Sequence, residues 1–210
     1  MKYYGRTVLA GFLLLIFCLS FSPALLNAAE TGPELQLKSS IDKLLLVLRD
    51  ENLKGSEKKQ LRRERIAEVV FMQFNMQRMA KLSLGRGWRD LDTAQRDHFV
   101  EDFRKLLAKS YVATIDGYAG EKISYIKEII KGDKAEVRTL VIGSGKEIPL
   151  NYKLKLKDGR WLIYDVIIEN VSLVRNYRSQ FIPIIKKSGY AGLVKQIEKK
   201  IALAEAKENG

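Results

Sequence analysis

The chain has 210 residues, 37 Lys plus Arg against 25 Asp plus Glu, a formal charge of +12, one His and one Cys. Hydrophobic residues at 46% and charged residues at 30% are ordinary globular composition and argue against wholesale disorder. Cys18 falls in an N-terminal leader, so disulfides, Cys-ligated zinc, iron–sulfur clusters and Cys nucleophiles drop out together, and a single His excludes multi-His metal sites within one chain.

Residues 1–29 read as a secretory signal peptide and residues 30–210 as one domain. Lys2 and Arg6 form a positive start, an apolar run follows (VLAGFLLLIF), and Asn27-Ala28-Ala29 supplies small residues for cleavage near Ala29. The apolar run is also long enough to span a bilayer if left uncut. Losing the leader takes the charge from +12 to +10, because it carries two cations and no anion. A basic exported chain is drawn to anionic headgroups or acidic protein faces, with no nucleic acid within reach.

Along the remaining chain, Leu37, Ile41, Leu44, Leu45 and Leu48 recur on one helix face between Glu34 and Glu51. Gly55-Ser56 breaks that helix and Ser56 caps a second, charge-dense one. A short helix follows over Phe74–Leu84, stopped by Gly85 and Gly87. Asp92 with Gln95 three residues on is a capping box. It opens a long helix with an aromatic face: Phe99, Phe103, Leu106, Leu107, Tyr111, Ile115 and Tyr118.

The period then changes to two. Ile148, Leu150, Tyr152, Leu154 and Leu156 alternate with a face that includes Lys153, Lys155 and Lys157. Flanking strands are expected over 122–130, 135–142 and 160–168, with Asp158-Gly159 as a tight-hairpin signal. The pattern predicts four antiparallel strands in a meander, with Trp161–Ile168 the most central or most covered. Ser172 caps a helix carrying Leu173, Tyr177 and Phe181, which Pro183 is expected to kink or end, and a last helix carries Leu193 and Ile197. Helices packed on a hairpin sheet make an α+β fold.

Catalytic signals are weak. Gly143-Ser144-Gly145-Lys146 imitates a phosphate-binding loop but has Leu140 and Glu147 where Gly and Ser or Thr are needed, and it joins two strands. His98 is a lone surface histidine. Asp165, a carboxylate in the most apolar strand, reads as paired with Arg175 or Arg178 or capping a backbone, with a general base in a cavity as the alternative. The aromatic stripe is either closed core or the wall of an apolar cavity.

From Phe71 to about Lys200 the sequence resembles the MlaC family, also called toluene-tolerance proteins. The likeness is carried by FNMQRMAKLSLGRGW (74–88), the Phe99 to Tyr111 run, Tyr118-Ala-Gly-Glu121, the strand from Pro149 to Tyr152, WLIYDVIIENVSLVRNYRSQF (161–181) and GYAGLVKQIEKK (189–200). Departures include Asn75-Met76 and Asn170, where the family favours Asp-Phe and Gly. The resemblance implies a periplasmic phospholipid carrier, without catalytic residues and without a cofactor beyond its lipid cargo. Its implied partners are an inner-membrane ABC transporter complex with its substrate-binding subunit and an outer-membrane lipoprotein–porin complex. It also leaves open a related carrier for hopanoid-type lipids. Read this way, the expected lipid-binding wall is Phe103, Leu107, Tyr111, Ile115, Tyr152, Leu154, Trp161, Ile163, Val166, Leu173 and Phe181.

Overall fold

The computed structural model describes residues 32–143 and 145–209, so the expected signal peptide, Cys18 and Ser144 lie outside the described residues. Five helices and an antiparallel sheet follow one another in the order the sequence pattern gives. Helix α1 spans Pro33–Arg49, α2 Lys59–Phe71, α3 Met76–Leu84 and α4 Thr93–Asp116; strands β1 Lys122–Lys131, β2 Lys134–Gly143, β3 Lys146–Lys157, β4 Arg160–Ile168 and β5 Val171–Ser172 lead into α5, Leu173–Asn209.

Local chemistry fixes most boundaries. Pro33 opens α1 where its missing N–H costs nothing. The capping box forms in full: the Gln95 N–H donates to Asp92 Oδ1 at 2.8 Å and the Asp92 N–H donates to Gln95 Oε1 at 3.1 Å. Asp158 (φ 50°) and Gly159 (φ 75°) make the β3–β4 turn. Asn170 holds a left-handed φ of 68° with Glu169 at 47°, so the turn survives without the glycine.

The sheet has five strands rather than four, ordered β1-β2-β3-β4-β5. The fifth is two residues long, too short for an alternation to announce it, and pairs Val171 and Ser172 with Ile168 and Ile167. It makes β3 the central strand. Strand β4 is instead the most covered, with Trp161, Ile163, Asp165 and Val166 buried. Its outer edge is closed at Ile163 by the segment before α3: the Asn75 N–H donates to the Ile163 carbonyl at 2.7 Å and the Ile163 N–H to the Gln73 carbonyl at 2.8 Å. At the other edge, β1 carries Lys122, Lys127 and Lys131, charges that discourage further strand pairing.

Pro183 does not end the last helix. The break comes at Gly189, whose φ of 68° and ψ of −174° belong to a region essentially reserved for glycine. Beyond it Leu193 and Ile197 return to the core, and the Tyr190 hydroxyl donates to the Gln95 carbonyl at 2.8 Å, tying the last segment to the start of α4.

Candidate functional site

The buried apolar residues fall into three groups. The first is a helical core between α3, α4 and α5, in which Phe99 and Phe103 stack at 5.8 Å and Tyr177 meets Phe103 edge-on at 5.2 Å, with Phe181 closing against both phenylalanines. The second joins α1 to the sheet and the start of α5 through Leu37, Val137, Leu154, Ile163, Val166 and Leu173. The third links α1, α2 and α4 through Leu48, Ile66 and Val112.

The eleven residues expected to form one wall are divided among these groups. Phe103, Leu107 and Phe181 lie in the helical core. Leu154, Trp161, Ile163, Val166 and Leu173 lie in the sheet group, with Tyr152 packed against it. Ile115 packs on the third group, and Tyr111 touches both of the first two. The structure therefore brings Tyr111, Tyr152 and the β3–β4 residues together and leaves Phe103 and Phe181 in a separate, close-packed aromatic stack.

Around the sheet group sits a ring of apolar side chains that are only half-buried: Ile41 of α1, Tyr111 of α4, Tyr125 of β1, Leu150 and Tyr152 of β3 and Ile168 of β4. Tyr152 is the most informative. It stands on the central strand between Val137 and Val166, and its phenol is enclosed deeply enough that burial, helped by Tyr125, pushes its pKa well up. Yet part of its surface remains accessible. Tyr152 is therefore packed against the sheet group without being sealed within it.

An opening of about 310 Å³ meets this ring at Ile41 and Tyr125. It lies between α1, the end of α4 and β1, and is edged by Lys38, Arg49 and Lys122 as well as by Asp42 and Glu121. Two polar clasps hold the other end of α1 over the sheet. The Gln36 amide donates to the Trp161 carbonyl at 2.7 Å and accepts from the Trp161 N–H at 3.0 Å, while Glu128 Oε1 accepts from the Glu34 N–H at 2.7 Å. The apolar stripe of α1 was visible in the sequence, but that it covers the sheet was not, so the sequence did not bring Leu37, Ile41 and Tyr125 into this region.

Desolvation pushes the Tyr111 and Tyr125 phenols up to about 12, with Tyr177 adding to the first and Asp42 and Glu34 to the second. All three phenols of the ring therefore ionise above the range of a free tyrosine. The folded state holds these protons where the unfolded chain, titrating near pH 10, has lost them. Their contribution to stability is complete below about pH 10 and is lost as the pH climbs toward 12. Ultraviolet titration should show at least two phenols that ionise only near that limit or on unfolding. Full ionisation of every tyrosine near pH 10 in the folded protein would contradict the enclosure.

Asp165 is 5% exposed and caps α5: its Oδ2 accepts from the Ser172 hydroxyl at 2.7 Å and its Oδ1 from the Val174 N–H at 3.2 Å. Ser172 Oγ in turn accepts from the Arg175 N–H at 3.1 Å. Of the roles read from the sequence, backbone capping is the one the geometry realises, and both carboxylate oxygens are engaged in it. Asp165→Ala should cost about 2–4 kcal/mol, combining loss of a cap with a buried hydroxyl left unpaired. Denaturation should register that loss while the folded fraction keeps any ligand. The loop at Gly143 simply joins β2 to β3, with Gly143 paired to Lys146. His98 is exposed, 3.5 Å from the carboxylate of Asp102.

Three comparisons bear on this geometry. The intermembrane phospholipid transport system binding protein MlaC of Haemophilus influenzae is 23% identical over 176 residues, spanning 81% of this chain and 82% of that protein. The phospholipid-binding protein from Ralstonia solanacearum, solved in complex with a phospholipid, superposes with a TM-score of 0.74 at 22% identity, covering 83% of this chain and 99% of its own, which establishes the shared fold. The MlaC protein family model matches residues 38–199, most of the chain. On that match, the chain belongs to the MlaC protein family.

Proposed function

We propose that this chain is a periplasmic phospholipid carrier, a single α+β lipid-binding domain over residues 30–210 released from a signal peptide cleaved near Ala29. It takes acyl chains into the space between the inner face of the sheet, α1 and α4, and performs no chemistry on them. The observation that carries the reading is the half-buried ring around Tyr152, continuous with an opening at Ile41 and Tyr125. Family membership, a relative whose name is phospholipid transport and a fold neighbour solved with phospholipid support it.

The physical need for such a chamber is large. Two acyl chains carry about 30 CH₂ groups, and at ~0.8 kcal/mol each their exposure to water costs roughly 20 kcal/mol or more. A dry protein interior replaces the bilayer core with a similar phase, so exchange is close to neutral and reversible. Direction then comes from the partners, which on this reading are an inner-membrane ABC transporter complex with its substrate-binding subunit and an outer-membrane lipoprotein–porin complex. The 310 Å³ opening sits at the low end of small-ligand pockets, roughly 300–1,000 Å³, whereas a diacyl lipid is longer than a drug-sized ligand. Loading therefore requires α1 and the sheet to part, with the half-buried ring residues as the seam.

The expected wall is narrowed accordingly. Tyr111, Tyr152, Leu154, Ile163, Val166, Trp161 and Leu173 are retained as wall or its immediate backing, joined by Ile41 and Tyr125. Ile115 flanks it, and Phe103, Leu107 and Phe181 form the rigid helical core behind it. Purifying the mature chain from its own compartment, extracting it and identifying the lipid by mass spectrometry tests the function. Phospholipid near one molecule per chain is the expected result, a hopanoid would redirect the carrier to another cargo, and a lipid-free chain that refuses labelled phospholipid would contradict it.

A further inference from the structure

A second cavity, of about 330 Å³, belongs to a different part of the molecule and shares no lining residue with the opening at α1. It lies where the first turns of α3 meet the end of β3, and Asn75, Arg78, Lys81, Trp88, Lys155 and Lys157 line it. Its charge is one-sided. Asp133 takes up Lys155 at 2.6 Å, and Glu136, on the strand beside β3, is bound to Arg138 at 2.7 Å. Arg78 also acts on the Asp133 carboxylate, but Arg78, Lys81 and Lys157 stand around the hollow without a direct ion pair among the described residues.

Arg78 is the informative member. Its guanidinium carbon lies 4.8 Å from the centre of the Tyr164 ring, within cation–π range. Its Nε is buried and has no hydrogen-bond partner. Buried charged donors are ordinarily satisfied, and Arg78 lines the cavity with a guanidinium that this donor does not commit to a protein acceptor. Asn75 adds to it. Its Oδ1 is occupied in capping α3, accepting from the Arg78 N–H at 3.0 Å, which leaves its amide N–H groups to donate elsewhere.

We propose that this cavity binds a phosphate-class anion, seated on Arg78 with Asn75, Lys81 and Lys157 around it. A tetrahedral oxyanion suits a guanidinium and several ammonium groups lining one hollow, and 330 Å³ open to solvent leaves room for what the phosphate is attached to. The same chemistry arrives either as a lipid headgroup presented at a membrane surface or as free phosphate. In the first case the site orients the carrier on the membrane, apart from the chamber that holds its cargo.

The test follows the Arg78 Nε–H resonance by NMR in the mature chain while inorganic phosphate is added, and measures sedimentation with vesicles of phosphatidylcholine alone or with phosphatidylglycerol. Phosphate should shift the resonance, and Arg78→Gln should weaken binding roughly tenfold. Lys157→Gln, an exposed substitution that leaves the core untouched, should weaken it severalfold and covers the case in which Arg78→Gln folds poorly. Sedimentation with anionic vesicles that both variants reduce assigns the headgroup as the source, and phosphate binding without vesicle binding assigns the free ion. An Arg78 resonance that neither phosphate nor vesicles move, or variants that bind both as the parent does, would overturn the proposal. Co-purified cargo should be unchanged in both variants, which separates failure here from failure of the carrier reading.

Discussion

Phe103→Ala should destabilise the protein by about 3–5 kcal/mol, the range for emptying an aromatic side chain from a closed core. Phe103 is fully buried, stacked on Phe99 and met by Tyr177 and Phe181, so neighbours held in several aromatic contacts collapse poorly into the space. Chemical denaturation should report a lowered midpoint with an unchanged slope. Because this stack stands apart from the sheet group, the fraction that remains folded should still carry lipid at the parental ratio. A stable Phe103→Ala chain that has lost its lipid would move the acyl chains into the helical core.

Tyr152→Glu should do the opposite. A carboxylate on the central strand puts a charge, or a proton bound at the cost of desolvation, where an acyl chain would lie. Lipid recovered per chain should fall at least roughly tenfold, each tenfold being about 1.4 kcal/mol of lost affinity. Tyr152→Phe, which removes only a hydroxyl, should retain lipid. If Tyr152→Glu compromises folding, Ile41→Glu at the opening places the charge on a half-buried helix position instead and carries the same expectation. Full lipid occupancy in a folded Ile41→Glu and a folded Tyr152→Glu chain would remove both residues from the wall.

These two variants separate what the sequence could not. The helix starts and hairpins were legible because their signals are local: Asp92 with Gln95, Asp158-Gly159, and the alternation from Ile148 to Leu156. Pro183 does not end its helix because a proline within a packed helix is tolerated when tertiary contacts hold the flanks, and the separation from the last helix falls at Gly189, which reaches a backbone conformation that other residues resist. The two-residue β5 left no periodic trace at all. Asp165 was legible as a buried carboxylate, and its partners proved to be the Ser172 hydroxyl and a backbone N–H at the start of the next helix.

The site was only partly legible, for a geometric reason. Period marks which face of an element is buried but not what that face meets. Phe103 and Tyr111 lie on one apolar stripe of α4, yet the first is sealed among α3 and α5 while the second also reaches the sheet. Leu37 and Ile41 carry an equally plain stripe, and only the fold shows that it covers the sheet with Tyr125 beneath. Half-burial, which sets Tyr152 and Leu150 apart from Leu154, has no signature in sequence.

If acyl chains occupy the seam between the sheet, α1 and α4, a crystal structure of the chain purified with its native lipid should show tail density against Ile41, Tyr111, Tyr125, Leu150 and Tyr152, with α1 and the sheet further apart and the aromatic stack unchanged. Tail density threaded between α3 and α5, with the seam still closed, would contradict it.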